Sequence, residues 1–269
     1  MVDNRLTSTV RRIRATGRVA LCGYFLAGYR TPERFYSAVR AAEALDLLEF
    51  GIPSSNPYLD GDLIRGAHRV VVDELGVGTE TSLALVGGLK GVVQPRFVMT
   101  YAEEGRSMRG FLRLCVEHQI QGVLAPDLSV TEAAEVARHA ALLDIAFVGF
   151  VHSEMADAEI LMRAAHADLV YLKMAEGRTG SPLRLGDRCQ RLRDVVALLR
   201  ATTPHVLIAA GIGIQASSDV MACSDLGVDI VIVGTALMER MNRSMDELAE
   251  LVGSFRGATL PPGARQHFD

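Results

Sequence analysis

Leu47-Leu48-Glu49-Phe50-Gly51-Ile52 runs directly into Pro53-Ser54-Ser55-Asn56-Pro57-Tyr58-Leu59-Asp60-Gly61. The first run is apolar at successive positions apart from Glu49, which is how a parallel strand covered on both faces reads. The second is rich in turn formers and delivers Asp60 at the start of a helical segment. Together they make one strand-loop-helix unit. Apolar runs of the same kind recur at 19–25, 96–100, 122–125, 146–151, 169–173, 205–209 and 230–233, giving eight strands with 47–52. Between them, segments such as 32–45, 108–118, 131–143, 156–166 and 188–199 return apolar residues every three or four positions, as helices do. Eight alternating units predict an α/β fold of the (β/α)8 barrel type. An open doubly wound sheet is the competing architecture, but the first strand is followed by residues 26–31 and not by a GxGxxG turn.

The size of the chain agrees with one large domain. Its 269 residues have the usual length of a single α/β barrel, and 49% of them are hydrophobic, enough for one sizeable core. No Pro/Ser-rich linker or charge block divides the middle, so residues 1–269 are expected to form one domain. Residues 1–17 are read as an amphipathic first helix plugging one end of the barrel, and 257–269, with Pro261, Pro262 and Gly263, as a loose tail. The net charge of -4, with acids and bases interspersed, supplies no basic stripe for a nucleic-acid backbone. Cys22, Cys115, Cys189 and Cys223 are widely spaced and suggest neither a zinc site nor a disulfide framework, which points to a reducing, cytoplasmic setting. No run has the length of a signal-peptide core or a bilayer span.

In such barrels chemistry is expected on the loops that leave the C-terminal ends of the strands. Glu49 lies inside an apolar strand, where a carboxylate either faces the barrel mouth or is neutralised by a buried cation. Asp60 supplies a second carboxylate, with a helix N-cap as its structural alternative. Three glycine-bearing stretches follow the last three strands: Gly177-Arg178-Thr179-Gly180, Ala210-Gly211-Ile212-Gly213 and Gly234-Thr235. Glycine lets backbone N–H groups approach an anion, and a helix N-terminus adds a favourable dipole. One such stretch alone is ordinary punctuation; three after strands six to eight match the usual phosphate site of barrel enzymes.

Residues 49–61 resemble the signature of the tryptophan synthase α subunit, E-L-G-x-P-x-S-D-P-x-A-D-G. The resemblance continues at 25–29, Met99-Thr100-Tyr101, Pro126-Asp127-Leu128, 177–180, Gly211-Ile212-Gly213-Ile214 and Gly234-Thr235-Ala236, in order along nearly the whole chain. It implies retro-aldol cleavage of indole-3-glycerol phosphate to indole and glyceraldehyde 3-phosphate, with neither metal nor organic cofactor. By the same resemblance Glu49 is the general acid/base at the reacting carbons and Asp60 the carboxylate at the indole nitrogen. Gly180, Gly211, Gly213, Gly234 and Thr235 are then the phosphate-binding positions, and Tyr24, Tyr101, Leu124, Tyr171, Thr179 and Ile212 line the substrate pocket.

The resemblance also implies a β subunit as partner, and here the chain departs from the pattern. Asn56 replaces the aspartate before Pro57, the asparagine expected shortly after Tyr101 is missing from Ala102-Glu103-Glu104, and Ser129 replaces the proline after Leu128. The segment after Tyr101 is a few residues short. These changes argue against docking on an ordinary β subunit and for a stand-alone lyase that releases free indole. An ordinary α subunit, a non-catalytic phosphate-binding barrel and a lyase for another phosphorylated substrate remain as alternatives. Arg178, where the family commonly has an aliphatic residue, reads either as a cation near the phosphate or as a solvent-facing loop residue.

Overall fold

The computed structural model describes residues 2–105, 107–174, 178–180, 188–261 and 264. Eight parallel strands close into a barrel in chain order: β1 Ala20–Leu26, β2 Leu47–Gly51, β3 Arg96–Met99, β4 Gly122–Leu124, β5 Ala146–His152, β6 Leu169–Lys173, β7 Leu207–Gly211 and β8 Ile230–Val233. β1 pairs with both β2 and β8, which completes the ring. The helices between and around them, among the described residues, are α1 Arg5–Arg14, α2 Pro32–Ala41, α3 Asp62–Arg69, α4 Thr79–Gly87, α5 Met108–Glu117, α6 Val130–Leu142, α7 Asp157–Ala164, α8 Arg188–Thr202, α9 Ser217–Asp225, α10 Thr235–Arg243 and α11 Met245–Ala258. The chain is thus a single-domain (β/α)8 barrel. No helix among the described residues is long and apolar enough to cross a membrane.

Side chains alternate between two cores, as the period of a strand requires. Leu21, Phe25, Leu48, Phe50, Val98, Val123, Phe147 and Val170 pack outward beneath the helices. Cys22, Leu47, Phe97, Leu124, Val148, Leu169, Ala209 and Ile230 fill the barrel interior. Glu49 has the interior parity, two residues beyond Leu47 and level with Tyr24 and Phe97 in the strand register. A strand that reads as continuously apolar therefore carries one carboxylate on the barrel axis.

α1 belongs to the interior core. Leu6, Val10 and Ile13 are buried in the same cluster as Leu47 and Phe97, so the apolar stripe of this helix closes the N-terminal end of the barrel. Asn4 docks it: its side-chain oxygen accepts from Leu6 N at 3.0 Å, while Nδ2 donates to the carbonyls of Gln121 and Asp144 at 2.6 and 2.8 Å. Two boundaries differ from the sequence expectation. His205 is exposed and precedes β7, which starts at Leu207. The segment expected to be a loose tail from residue 257 is packed at its start, because α11 buries Gly257 and Ala258 in its last turn and Thr259, also buried, donates to Arg256 O at 2.7 Å.

Candidate functional site

A cavity opens at the C-terminal end of the barrel. Glu49 on β2 and Asp60, at the end of the loop that follows it, both face this cavity and are almost wholly buried, with 3% and 4% exposure. Loss of water is the larger cause that pushes Glu49 up to about 8, and the negative charge of Asp60 adds to it. Among the described residues no cation acts on Glu49, so these give the alternative of a neutralised structural acid no support. Burial also raises Asp60, but hydrogen bonds from Tyr101 and Thr179 and the charge of Arg65 oppose it and hold the value to about 6. At neutral pH the first carboxyl group keeps its proton and the second is ionised.

The environment of Asp60 is assembled from three loops. Tyr101, just past β3, donates its phenol to Asp60 Oδ2 at 2.9 Å and accepts Leu59 N at 3.3 Å. Thr179 donates to Asp60 Oδ1 at 3.3 Å and accepts Gly61 N at 2.8 Å. The α3 N-cap is Gly61, and its cap position makes no side-chain hydrogen bond, so Asp60 is not used as a cap. Gly61 is required by close approach: a Cβ there would lie 1.9 Å from the Thr179 carbonyl oxygen. The rest of the loop is tied down as well. Ser54 N donates to His68 Nδ1 at 2.9 Å, Ser55 N to Glu104 Oε1 at 3.3 Å, and Arg178 Nε to Tyr58 O at 3.2 Å.

Of the residues expected from the sequence, Tyr24, Glu49, Asp60, Leu124, Tyr171, Thr179, Gly180, Ile212, Gly213, Gly234 and Thr235 all line the one cavity. Tyr101 and Gly211 stand behind its wall. Tyr101 is fully buried behind Asp60, and Gly211 leaves room for the Tyr171 ring, whose hydroxyl would sit 2.0 Å from a Cβ at that position. Gly177 lies outside the described residues. Met99, Phe150 and Ile232 add to the apolar wall; strand alternation counted from Glu49 and Tyr171 would have revealed them. Ile64 and His68 come from α3, where only a shared helical face with Ala67 and Val71 hints that they point inward.

At the loops that follow the last three strands the wall is backbone-rich. Gly180 and Gly213 have φ of 86° and 104°, and Ile212, next to Gly213 in the chain, has φ of 66°. A β-branched residue in the left-handed region is strained, and such strain collects at ligand sites. Gly180 lies against the Thr235 side chain that opens α10, and Gln215 Nε2 donates to Gly180 O at 2.9 Å. The loops after β6, β7 and β8 therefore meet at one corner. Among the described residues no group of three or more His, Cys, Asp or Glu is placed to hold a metal ion.

The model of the tryptophan synthase alpha chain family matches residues 10–257. The chain belongs to that family. Named relatives include the tryptophan synthase alpha chains of Chloroflexus aggregans, 32% identical over 248 residues with 89% of this chain and 90% of the relative covered, and of Streptomyces avermitilis, 30% identical with 91% and 89% covered. Among solved structures, a tryptophan synthase from Mycobacterium tuberculosis superposes with a TM-score of 0.85 over 95% of this chain and 98% of its own, at 24% identity, a likeness of fold. Family membership makes this protein a carbon–carbon lyase of the indole-3-glycerol phosphate type. The match extends over the alternating strands and both carboxylates, so it includes the whole cavity described above.

Proposed function

We propose that this chain cleaves indole-3-glycerol phosphate by itself and releases free indole. The observation that carries the reading is the loop 53–61, held over the cavity by partners from its own chain: His68, Tyr101, Glu104, Arg178 and Thr179. A loop tied down by its own chain needs no second protein to order it, and closure need not limit turnover. The three positions that depart from the family pattern are exposed, and the side chain of one of them, Ser129, is used within this chain. Ser129 forms a capping box with Glu132 at the start of α6, Asn56 N donates to Ser54 Oγ at 3.0 Å, and Glu103 faces solvent.

Chemistry follows from the protonation states. Protonated Glu49 gives its proton to indole C3, and ionised Asp60 takes up the proton, or stabilises the positive charge, at the indole nitrogen. Glu49, now a carboxylate, removes the proton from the adjacent side-chain hydroxyl. The C–C bond breaks with its electron pair returning to the ring, glyceraldehyde 3-phosphate leaves as the aldehyde, and a proton taken up by Asp60 goes back to nitrogen. Both carboxyl groups end as they began. Tyr24, Leu124, Tyr171 and Ile212 enclose the indole, and the phosphate lies at the corner of Gly180, Gly213, Gly234 and Thr235, where the N-terminus of α10 favours an anion. Arg178 serves the loop through Tyr58 O in this reading.

The test is indole release from indole-3-glycerol phosphate by the purified chain, beside Glu49→Gln and Asp60→Asn. Turnover by the chain alone that falls about 10²–10⁴-fold in each variant is the expected result for loss of a general acid or base. No indole from the unmodified chain overturns the proposal. The names of the relatives favour a second reading, an alpha chain that acts fully only with its beta partner, and that reading predicts negligible turnover until the partner is added.

A further inference from the structure

His68 lies outside the signature residues, yet it is completely buried between the two ends of the loop 53–61. It sits on α3, one turn beyond Ile64, and α3 passes directly into a π-helical turn at Val70–Glu74. Its two ring nitrogens are in different positions. Nδ1 accepts the backbone N–H of Ser54 at 2.9 Å, so the lone pair there is in use. Burial pushes the imidazole down to about 4, and a neutral ring that accepts at Nδ1 carries its proton on Nε2. That Nε2 is buried, has no hydrogen-bond partner among the described residues, and stands 3.6 Å from Asp60 Oδ2. The contact is therefore a neutral N–H facing a carboxylate, not an ion pair. Adding a second proton would set an N–H at Nδ1 against the N–H of Ser54, so the geometry itself resists the charged form.

We propose that His68 is a positioning residue for Asp60, gripping the first turn of the loop through one ring nitrogen and presenting the N–H of the other to the carboxylate. Asp60 is also faced by Glu49 from β2, by Tyr24 from β1, by Tyr101 from beyond β3, by Thr179 from the loop after β6 and by Arg65 from α3. Oδ1 has the Thr179 hydroxyl, and Oδ2 has the Tyr101 phenol. The imidazole N–H is a second donor for Oδ2, a few tenths of an ångström from bonding distance, and the full negative charge on Asp60 draws it in. One side chain thereby links the entry of the loop at Ser54 to its catalytic end at Asp60. The consequence for turnover rests on the lyase reading; the effect on the titration of Asp60 does not.

Two substitutions separate the two bonds. His68→Asn keeps an oxygen where Nδ1 accepts Ser54 and removes the donor to Asp60, whereas His68→Gln places an amide N–H near Nε2. Carbon-13 NMR of the Asp60 carboxyl in the substrate-free protein is the first readout, and the pH profile of kcat/KM for indole release is the second. His68→Asn is expected to raise the pKa of Asp60 by about one unit, a tenfold change in proton affinity, and to move the acidic limb of the profile by the same amount. His68→Gln restores both toward the unmodified values. Nitrogen-15 NMR of the unmodified imidazole needs no variant and is expected to show the proton on Nε2 with no titration between pH 5 and 8. A proton on Nδ1, an ordinary histidine titration, or an Asp60 pKa untouched by His68→Asn overturns the proposal. An Asp60 shift in a chain that releases no indole supports the positioning role and removes the lyase reading alone.

Discussion

A carboxyl group enclosed by apolar side chains keeps its proton, whereas one that accepts several hydrogen bonds gives it up more readily. Glu49 and Asp60 are such a pair, standing at about 8 and about 6. The rate of indole release is therefore expected to rise as pH passes through about 6, where Asp60 ionises, and to fall through about 8, where Glu49 loses its proton. The two limbs belong to the coupled pair. A kcat/KM profile that is flat from pH 5 to 9 contradicts this division of roles. Stability carries the same signature. Folding raises the pKa of Glu49 above its unfolded value of 4.5, so its contribution is intact below pH 4.5 and is lost as pH climbs toward 8. Glu49→Gln has no proton to lose and is expected to be more stable than the unmodified chain at pH 8, by about 1–3 kcal/mol, with the gap narrowing by pH 5 in denaturant titrations. The sequence announces both carboxylates, because a charged residue in an apolar strand is conspicuous and a signature fixes the other. It says nothing direct about His68, whose importance depends on a 2.9 Å bond to Ser54 and a 3.6 Å approach to Asp60.

At the scale of an element, the loop 53–61 is the part whose order decides the site. It meets the loop after β6 so closely at Gly61 that a single methyl group would collide with the Thr179 carbonyl. Gly61→Ala is expected to separate the two loops, release Thr179 from Asp60 and lower kcat about 10-fold or more, the cost of misplacing a catalytic group by a fraction of an ångström to one ångström. Its melting temperature should change little, since the strands and α1 are untouched; a variant with unchanged kcat would show that this contact does not hold the loop. Strand and helix positions were legible in the sequence because periodicity reports which face is buried. The placement of Tyr101 and Gly211 was not, because both lie one layer behind residues of the cavity wall. Tyr101 turns its hydroxyl to Asp60, and Gly211 exists to admit the Tyr171 ring. Motif position identifies a neighbourhood, while the direction of a side chain is decided by packing.

On the scale of the whole molecule, the barrel separates stability from chemistry at its two ends. α1 seals the N-terminal end through Leu6, Val10 and Ile13, and Leu6 presses on β4 so closely that a Cβ on Gly122 would lie 2.8 Å from it. Leu6→Ala is expected to cost about 2–5 kcal/mol of unfolding free energy, as for other buried leucines, while leaving the pH limbs of indole release in place. Shifted limbs would mean that the two ends are coupled. The barrel and the plugging helix were both readable from eight apolar runs and one amphipathic segment, whereas the proposed self-sufficiency rests on contacts between loops far apart in sequence, such as Ser55 with Glu104 and Gly61 with Thr179. That property has one decisive measurement: kcat for indole release by the purified chain with and without a saturating tryptophan synthase beta subunit. Closure within the chain predicts the same kcat in both cases, and a large rise on adding the beta subunit would contradict it.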